Sequence, residues 1–136
     1  MIILSLPKQR IMYERKMPLK KRSGIDTTFY LVGGKWKRDI ISCVNNGIRR
    51  PGEMQKHLAA VSASPRVLRQ QLRELERFGI IYKKVYPVVP PKVEYFLSEI
   101  GKELIPLFLS MDKWGSKYES INGEAFLEAR IAVTTS

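Results

Sequence analysis

Residues 64–79 carry the pattern that most constrains the fold: a helix with both ends marked and two chemically opposite faces. Ser64 has a side-chain oxygen suited to capping a helix N-terminus, and Pro65 suits the first helical position. Gly79 supplies a C-terminal stop, since glycine adopts the left-handed conformation at little steric cost. The apolar side chains between these ends share one stripe at helical spacing: Leu68, Leu72, Leu75 and Phe78.

The opposite face of this segment is basic and polar. Arg69 and Arg73 stand four residues apart, a spacing at which like charges repel on a helix surface. A basic face is often merely solvated, but a self-repelling one opposite an apolar stripe favours an anionic partner. Arginine bonds two acceptors of guanine at once, and side chains near the N-terminus of a helix in the major groove meet base edges. The residues of this helix predicted to bind DNA are Ser64, Arg66, Arg69, Gln70 and Arg73.

The distribution of charge favours the same partner. Lysine and arginine total 24 against 13 acidic residues, which gives a formal net charge of +11. Seven bases and one acid fall in residues 1–22, whereas residues 98–136 hold four bases and six acids. Such an imbalance favours nucleic acid first and an acidic membrane surface second. The basic function is therefore expected in the first two thirds of the chain.

Two short helices are predicted after the basic N-terminal stretch. Asp26 or Thr27 is expected to cap the first, which ends at Gly33-Gly34. The second is expected over residues 35–46 and ends at an Asn-Asn-Gly sequence. Its apolar residues recur at helical spacing and are expected to face the core: Trp36, Ile40, Ile41 and Val44.

A third helix and a tight turn complete a helix-turn-helix with the amphipathic segment. Residues 48–50 are predicted to form a very short strand, and Pro51 then fits the first turn of the third helix. Residues 59–63 are expected to form the turn. The inner positions of the third helix are Met54 and Leu58.

An antiparallel hairpin with a stiff tip is predicted next. Residues 80–86 and 92–97 are rich in β-branched and aromatic side chains, and residues 87–91 contain three prolines that cannot extend a ladder. The hairpin should project beside the basic helix as a wing. Its lysines expected to meet phosphates are Lys83, Lys84 and Lys92.

The last long helix is predicted to begin at a Ser98 cap and to run to about Tyr118. Pro106 removes one backbone hydrogen bond and is expected to kink this helix. Residues 124–131 are predicted to form a further short helix. The apolar residues of the long helix alternate in gaps of four and three, the heptad spacing of a helix–helix seam: Ile100, Leu104, Leu107, Met111, Trp114 and Tyr118.

The predicted fold is therefore mainly α with a small β-hairpin wing: a winged helix-turn-helix with a three-helix core and a long C-terminal dimerisation helix. Residues 1–23 are expected to form a basic arm, and residues 24–97 the DNA-binding domain. Residues 98–136 are assigned to the dimerisation helix and a tail.

Four ordered motifs over residues 26–118 resemble those of the HxlR-type regulators, relatives of the MarR class. Residues 31–37, LVGGKWK, are similar to the IGGKW signature, and the segment from Ser64 to Ile80 resembles the SPKVLTQRLRELEEDGLV stretch. Residues 86–95, YPVVPPKVEY, resemble the family's YPEVPPRVEYSLT wing. Residues 97–104, LSEIGKEL, are similar to LTELGRSL.

The resemblance implies a homodimer built on the first and last helices, with Phe29 joining the heptad seam. Such a dimer is expected to bind a pseudo-palindromic operator with half-sites roughly 34–36 Å apart. Family members act as repressors or activators, and some respond to electrophiles or oxidants. Redox-responsive members often carry a cysteine just before the first helix, where this chain reads Ser-Gly-Ile-Asp at residues 23–26. The lone thiol, Cys43, is expected to be partly buried and inert.

No catalytic, metal-binding or cofactor-binding constellation is apparent in the sequence. His57 is the single histidine, and one histidine with one cysteine does not make a metal site. The chain is expected to be a cytoplasmic, non-enzymatic protein without a cofactor, a secretory signal or a membrane partner, and any small-molecule effector is unknown. Two further hypotheses remain: an architectural protein that coats DNA without sequence choice, and a module that binds an acidic protein or RNA.

Overall fold

The computed structural model describes residues 23–59 and 63–135, so residues 1–22 of the basic arm predicted over 1–23, and most of the predicted turn, lie outside the described residues. The mainly helical architecture predicted above, with one two-stranded hairpin and a long C-terminal helix, is confirmed. The elements, in order, are α1 (Gly24–Val32), α2 (Lys37–Asn45), α3 (Pro51–Leu58), α4 (Pro65–Arg77), β1 (Ile81–Tyr86), β2 (Lys92–Leu97), α5 (Glu99–Lys102) and α6 (Leu104–Thr135).

The core lies among α2, α3, α4 and the hairpin. The inner faces predicted for the second, third and fourth helices are confirmed: every predicted position is buried except Phe78, which is half-buried against Tyr30 with ring centroids 6.1 Å apart. Full burial of one such aliphatic side chain contributes about 1.5–3 kcal/mol. The fully buried apolar side chains are Ile40, Ile41, Val44, Met54, Leu72, Leu75 and Ile81.

The first two helices begin at other residues than predicted. Ser23, not Asp26 or Thr27, caps α1, because its hydroxyl accepts a hydrogen bond from the Asp26 amide at 3.3 Å. The second helix begins at Lys37 rather than at residue 35, since Trp36, with a φ of −114°, is its N-cap residue. Trp36 nevertheless stays buried, as the apolar spacing predicts.

The short strand predicted over residues 48–50 is not formed. A single ladder-like hydrogen bond links this segment to β2, from the Tyr95 amide to the Arg49 carbonyl at 2.9 Å. Pro51 follows, and a proline has no amide hydrogen to continue a ladder. The segment is therefore an extended connection that lies beside β2 and leads directly into α3.

The hairpin places alternate residues on two faces. The register pairs Ile81 with Leu97 on one face and Tyr82 with Phe96 on the other. The first face turns to the core, since Ile81, Tyr95 and Leu97 are buried. The second is the outer face, and its stacked Tyr82 and Phe96 rings lie 5.6 Å apart. Consecutive lysines of β1 consequently fall on opposite faces.

The last long helix is interrupted, contrary to the prediction. Ser98 does act as a cap, since its hydroxyl accepts from the Gly101 amide at 3.1 Å, but the helix that it caps, α5, ends at Lys102. A proline ring clashes with the carbonyl four residues earlier, which for Pro106 is that of Lys102. The break therefore precedes Pro106, which lies in the first turn of α6 and produces no kink within it.

Gly101 is the point at which α5 meets the end of α4. A Cβ built on Gly101 would overlap the carbonyl oxygen of Ile80, a backbone atom with no freedom to move aside. The Ser98 amide donates to the same carbonyl at 3.0 Å. Glycine is consequently the residue that lets the short helix lie directly against this turn of backbone.

The chain divides into two compact units between Lys102 and Glu103. In the second unit, α6 extends to Thr135 instead of ending near Tyr118, so the helix predicted over residues 124–131 is part of it. Asn122 has non-helical angles (φ −123°, ψ 19°) and bends the helix. The Tyr118 ring stacks on Trp114 at 5.6 Å and meets Phe126 edge-on at 5.9 Å, so aromatic rings link the two sides of the bend.

Candidate nucleic-acid interface

The helix α4 begins as its sequence predicts. Ser64 has extended backbone angles, and its hydroxyl oxygen accepts a hydrogen bond from the Val67 amide at 3.2 Å. Pro65 takes the first helical position, where its missing amide hydrogen costs nothing. At the other end Gly79 has a φ of 74°, the conformation that favours glycine. Both ends are thus defined by local chemistry, and the N-terminus is left at the surface.

The arginines of the N-terminal half of α4 face solvent without carboxylate partners. Arg66, Arg69 and Arg73 are all exposed, and none of the ion pairs within residues 23–59 and 63–135 involves them. Gln70 is half-buried beside them. Three exposed cations on one helix face, with the apolar stripe buried behind them, make a surface that an anion stabilises. The structure thus brings the predicted base-reading residues onto one face.

The wing lysines divide between the two faces of the hairpin. Lys83 lies on the inner face, and its Nζ is 3.8 Å from Glu76 Oε1 of α4. Lys84 and Lys92 lie on the outer face, where their ammonium groups stand 4.8 Å from the rings of Phe96 and Tyr86, respectively. Exposed pairs of this kind contribute roughly 0–1 kcal/mol, so the charges remain available to phosphates.

Arg49 joins this outer face although the sequence pattern gave no sign of it. Its guanidinium carbon lies 4.9 Å from the Phe96 ring, on which Lys84 also stands. The Arg49 Nε is buried and has no hydrogen-bond partner among the residues that the structure describes. The contact depends on the extended segment before Pro51 lying beside β2, and this tertiary pairing leaves no periodic signal in the sequence.

Tyr95 connects the wing to α4. Burial raises the pKa of Tyr95, the negative charge of Glu76 raises it further, and the positive charge of Arg73 opposes both. Glu76 and Arg73 are residues of α4, so the inner face of the hairpin lies against this helix. The wing and α4 therefore pack against each other within the first unit.

A polar cluster lies beneath the arginine face. Lys37 is only 2% exposed, and its ammonium lies 2.9 Å from Gln71 Oε1 and 3.3 Å from Glu74 Oε1, both buried on α4. The sequence analysis did not predict this cluster, although the helical positions of two of its residues indicated that they face the core. Gln71 occupies the same helical arc as the buried leucines of α4, and Lys37 the same arc as the buried isoleucines of α2.

The residues predicted for dimerisation present apolar surface within each unit. In the first unit, Phe29 of α1 is 48% exposed and Ile100 of α5 is also exposed. In the second, four predicted residues of α6 are exposed and Leu104 is half-buried. Because Ile100 lies on α5, the heptad seam is continuous only from Leu104 onwards. The exposed seam residues are Leu107, Met111, Trp114 and Tyr118.

Cys43 and His57 take the positions that the sequence indicates. Cys43 is buried, and burial, with a further effect of the Asp39 charge, raises the pKa of its thiol, which disfavours the nucleophilic thiolate. His57 is exposed near the end of α3. Within the described part of the chain no group of histidine, cysteine or carboxylate side chains is arranged to hold a metal ion. Over the same ranges no helix combines the length and apolar character needed to cross a bilayer.

Comparison with known proteins gives a consistent result. Residues 31–122 match the model of a family described as HxlR-like helix-turn-helix. The chain is 44% identical over 95 residues to the uncharacterized HTH-type transcriptional regulator YdeP of Bacillus subtilis (strain 168), covering 70% of this chain and 73% of the relative. It is 39% identical over 99 residues to the putative regulatory protein MalR of Fusobacterium mortiferum, covering 72% and 92% of the two chains.

Solved structures agree with these sequence matches. The reduced form of the redox regulator HypR superposes with a TM-score of 0.67 at 38% identity, covering 75% of this chain and 99% of that one. A transcriptional regulator of the MarR family from Enterococcus faecalis V583 superposes with a TM-score of 0.68 at 29% identity, covering 79% and 96% of the two chains. Both are described as regulators.

Proposed function

The chain belongs to the HxlR-like helix-turn-helix family and is a DNA-binding transcriptional regulator, and on that premise we propose that it recognises a specific operator as a homodimer. The proposed reading element is α4, with Arg66 and Arg69 as base-contacting residues, assisted by Gln70 and Arg73. The proposed phosphate contacts are the hairpin lysines. Ser64 contributes through its cap, which holds the first turn of α4 in place for the groove.

One observation carries this proposal: the arginine face of α4 is exposed and meets no carboxylate of residues 23–59 and 63–135, while its opposite face is buried. A helix fits the major groove, and arginine bonds both acceptors of guanine in one plane. A surface intended only for solubility would be expected to intersperse carboxylates among the arginines. Here the two carboxylates of α4 point elsewhere, Glu74 into the core and Glu76 towards Lys83.

The homodimer is proposed from the apolar surface of α6 and α1. The exposed seam over residues 107–118 alternates in gaps of four and three, the pattern by which two helices pack side by side. Exposed apolar stripes of this extent mark association surfaces in soluble proteins. A two-fold dimer presents two reading helices, so the operator is expected to be pseudo-palindromic with half-sites roughly 34–36 Å apart.

The net charge favours a second candidate, an architectural protein that coats DNA without sequence preference. The charge of +11, with seven bases in residues 1–22, supplies affinity for any duplex. Selection of bound duplexes from a random pool separates the candidates, followed by measurement of affinity for the selected duplex and for random DNA at physiological salt. A specific regulator is expected to prefer the selected duplex by roughly 10³-fold or more. A ratio near one would establish the architectural protein instead.

The contribution of the wing can be measured through salt dependence. Replacing Lys83, Lys84 or Lys92 singly by glutamine is expected to lower the slope of log affinity against log salt by about 0.9, because each phosphate contact releases one condensed counterion. The reduction should be the same on operator and random DNA, since phosphates carry no sequence information.

Lys113→Gln is the matched control, because it removes an equal charge from an exposed position on α6. An unchanged slope for any one of the wing variants would remove that lysine from the interface. Since Lys83 is on the inner face and the other two are on the outer face, the pattern of results also identifies which side of the hairpin follows the phosphates.

A further inference from the structure

The buried polar cluster of Lys37, Gln71 and Glu74 beneath α4 has no role in the function proposed above. Lys37 opens α2, whereas Gln71 and Glu74 lie on the inner arc of α4 among leucines. The Lys37 ammonium donates to both of them, and Gln71 Nε2 stands 3.5 Å from Glu74 Oε2. All three residues are at most 2% exposed, so the cluster is sealed from water.

We propose that Lys37 is a positioning residue for DNA reading: its ammonium, held between Gln71 and Glu74, sets the rotation of α4 about its own axis and thereby the aim of Arg66 and Arg69. This inference rests on the proposed function, since it concerns the reading of a specific operator. Lys37 itself is buried, so its side chain is not part of the exposed arginine face.

Hydrogen bonds restrict the rotation of α4 about its axis more strictly than apolar packing does. A leucine stripe tolerates small rotations, because dispersion and burial depend weakly on angle, whereas a hydrogen bond weakens steeply outside a narrow range of distance and angle. A rotation of about 20° moves an atom 6 Å from the helix axis by about 2 Å. That displacement is enough to break a base contact. The leucine stripe therefore tolerates a larger rotation of α4 than the contacts of Arg66 and Arg69 with bases would.

The cost of the cluster also indicates a role beyond stability. Burial lowers the pKa of Lys37, and the charge and hydrogen bond of Glu74 oppose this shift, so the two charges depend on each other inside the core. Replacing a buried ion pair by apolar side chains of similar volume is often neutral or stabilising, whereas removing one partner alone is destabilising. The property to test is therefore whether the cluster holds α4 in a single orientation, and not how much the cluster adds to stability.

The test is the triple variant Lys37→Met, Gln71→Leu and Glu74→Met, which replaces the cluster by apolar groups of similar size. We expect it to unfold cooperatively and to bind random DNA within about twofold of the wild-type affinity, while its preference for the operator falls by at least about tenfold. The matched control exchanges Ile41→Leu and Leu72→Met, which perturb buried apolar positions of the same two helices and leave the three polar residues of the cluster unchanged. The control is expected to keep the wild-type preference.

Wild-type preference in a folded triple variant would overturn the assignment of Lys37 and leave the proposed function intact. If the triple variant does not fold, Glu74→Gln decides, because it keeps the shape and removes only the charge. A preference reduced by at least about threefold supports the positioning role, and an unchanged preference overturns it. Absence of any operator preference in the wild-type protein would instead refute the proposed function itself, so the two failures are distinguishable.

Discussion

Replacing both Arg66 and Arg69 by alanine is expected to weaken binding to the selected operator by roughly 30-fold to 10⁴-fold, since each lost base contact costs about 1–3 kcal/mol. Binding to random DNA should fall far less, because there the two arginines contribute only phosphate attraction. Both side chains are exposed on α4 and form no ion pair within the described residues, so the free energy of unfolding should change by less than about 0.5 kcal/mol. Titration of labelled operator and random duplexes at one salt concentration measures the difference.

The charge-matched control is Lys113→Ala with Lys117→Ala, which removes two exposed positive charges from α6. This control is expected to lower affinity for both duplexes equally and only slightly. An equal loss on operator and random DNA in the arginine variant would show that α4 contacts phosphates alone. Base reading would then have to come from another element.

Placing glutamates at Met111 and Trp114 is expected to keep the chain from forming the proposed dimer and to lower operator affinity by about 10²–10⁴-fold. Both residues are largely exposed in the single chain, Trp114 by 69%, so charges there cost the monomer little. In a packed seam the same charges would be buried opposite their own copies, a costly arrangement without pairing. The loss in affinity follows because each half-site would then be bound separately, without the effective concentration that a linked second head provides.

Sedimentation or light scattering measures the oligomeric state, and the same samples are titrated with operator. Lys113→Glu is the control, since it changes the net charge by the same amount on the side of α6 away from the seam. A double-glutamate variant that remains a dimer would remove this seam from the interface. A wild-type chain that is monomeric at micromolar concentration would contradict the homodimer altogether.

Those elements whose determinants are local were predictable from the sequence. The helix α4 has its cap, its proline and its terminal glycine within the segment itself, and the hairpin has its proline tip, so both were located to within a residue or so. The interruption of the helix at Glu103 also has a local cause, because Pro106 lies four residues after Lys102, whose carbonyl its ring would meet in a continuous helix. The effect of a proline is exerted four residues upstream, which is why the break precedes the proline.

Arrangements that depend on tertiary partners could not be predicted from the sequence. Lysine and glutamate are almost never fully buried unless paired, so the burial of Lys37 and Glu74 becomes reasonable only when the two are seen together across α2 and α4. The cation–aromatic contact of Arg49 likewise requires a connection that lies beside a strand without forming one. The base-reading roles of the α4 side chains stay predictions, as does the dimer seam.

The amphipathic division of α4 has a consequence for how regulators of this kind diversify. The side chains of Arg66 and Arg69 are exposed and lie outside the core, so each can be exchanged with almost no penalty to folding. The buried leucines are under the opposite constraint, because their burial stabilises the fold, and neither Lys37 nor Glu74 can be lost alone without leaving a buried charge unpaired. Because these surface positions are the proposed base-reading ones, we expect descendants of one ancestral gene to acquire new target promoters through a few surface codons while the chain keeps its architecture.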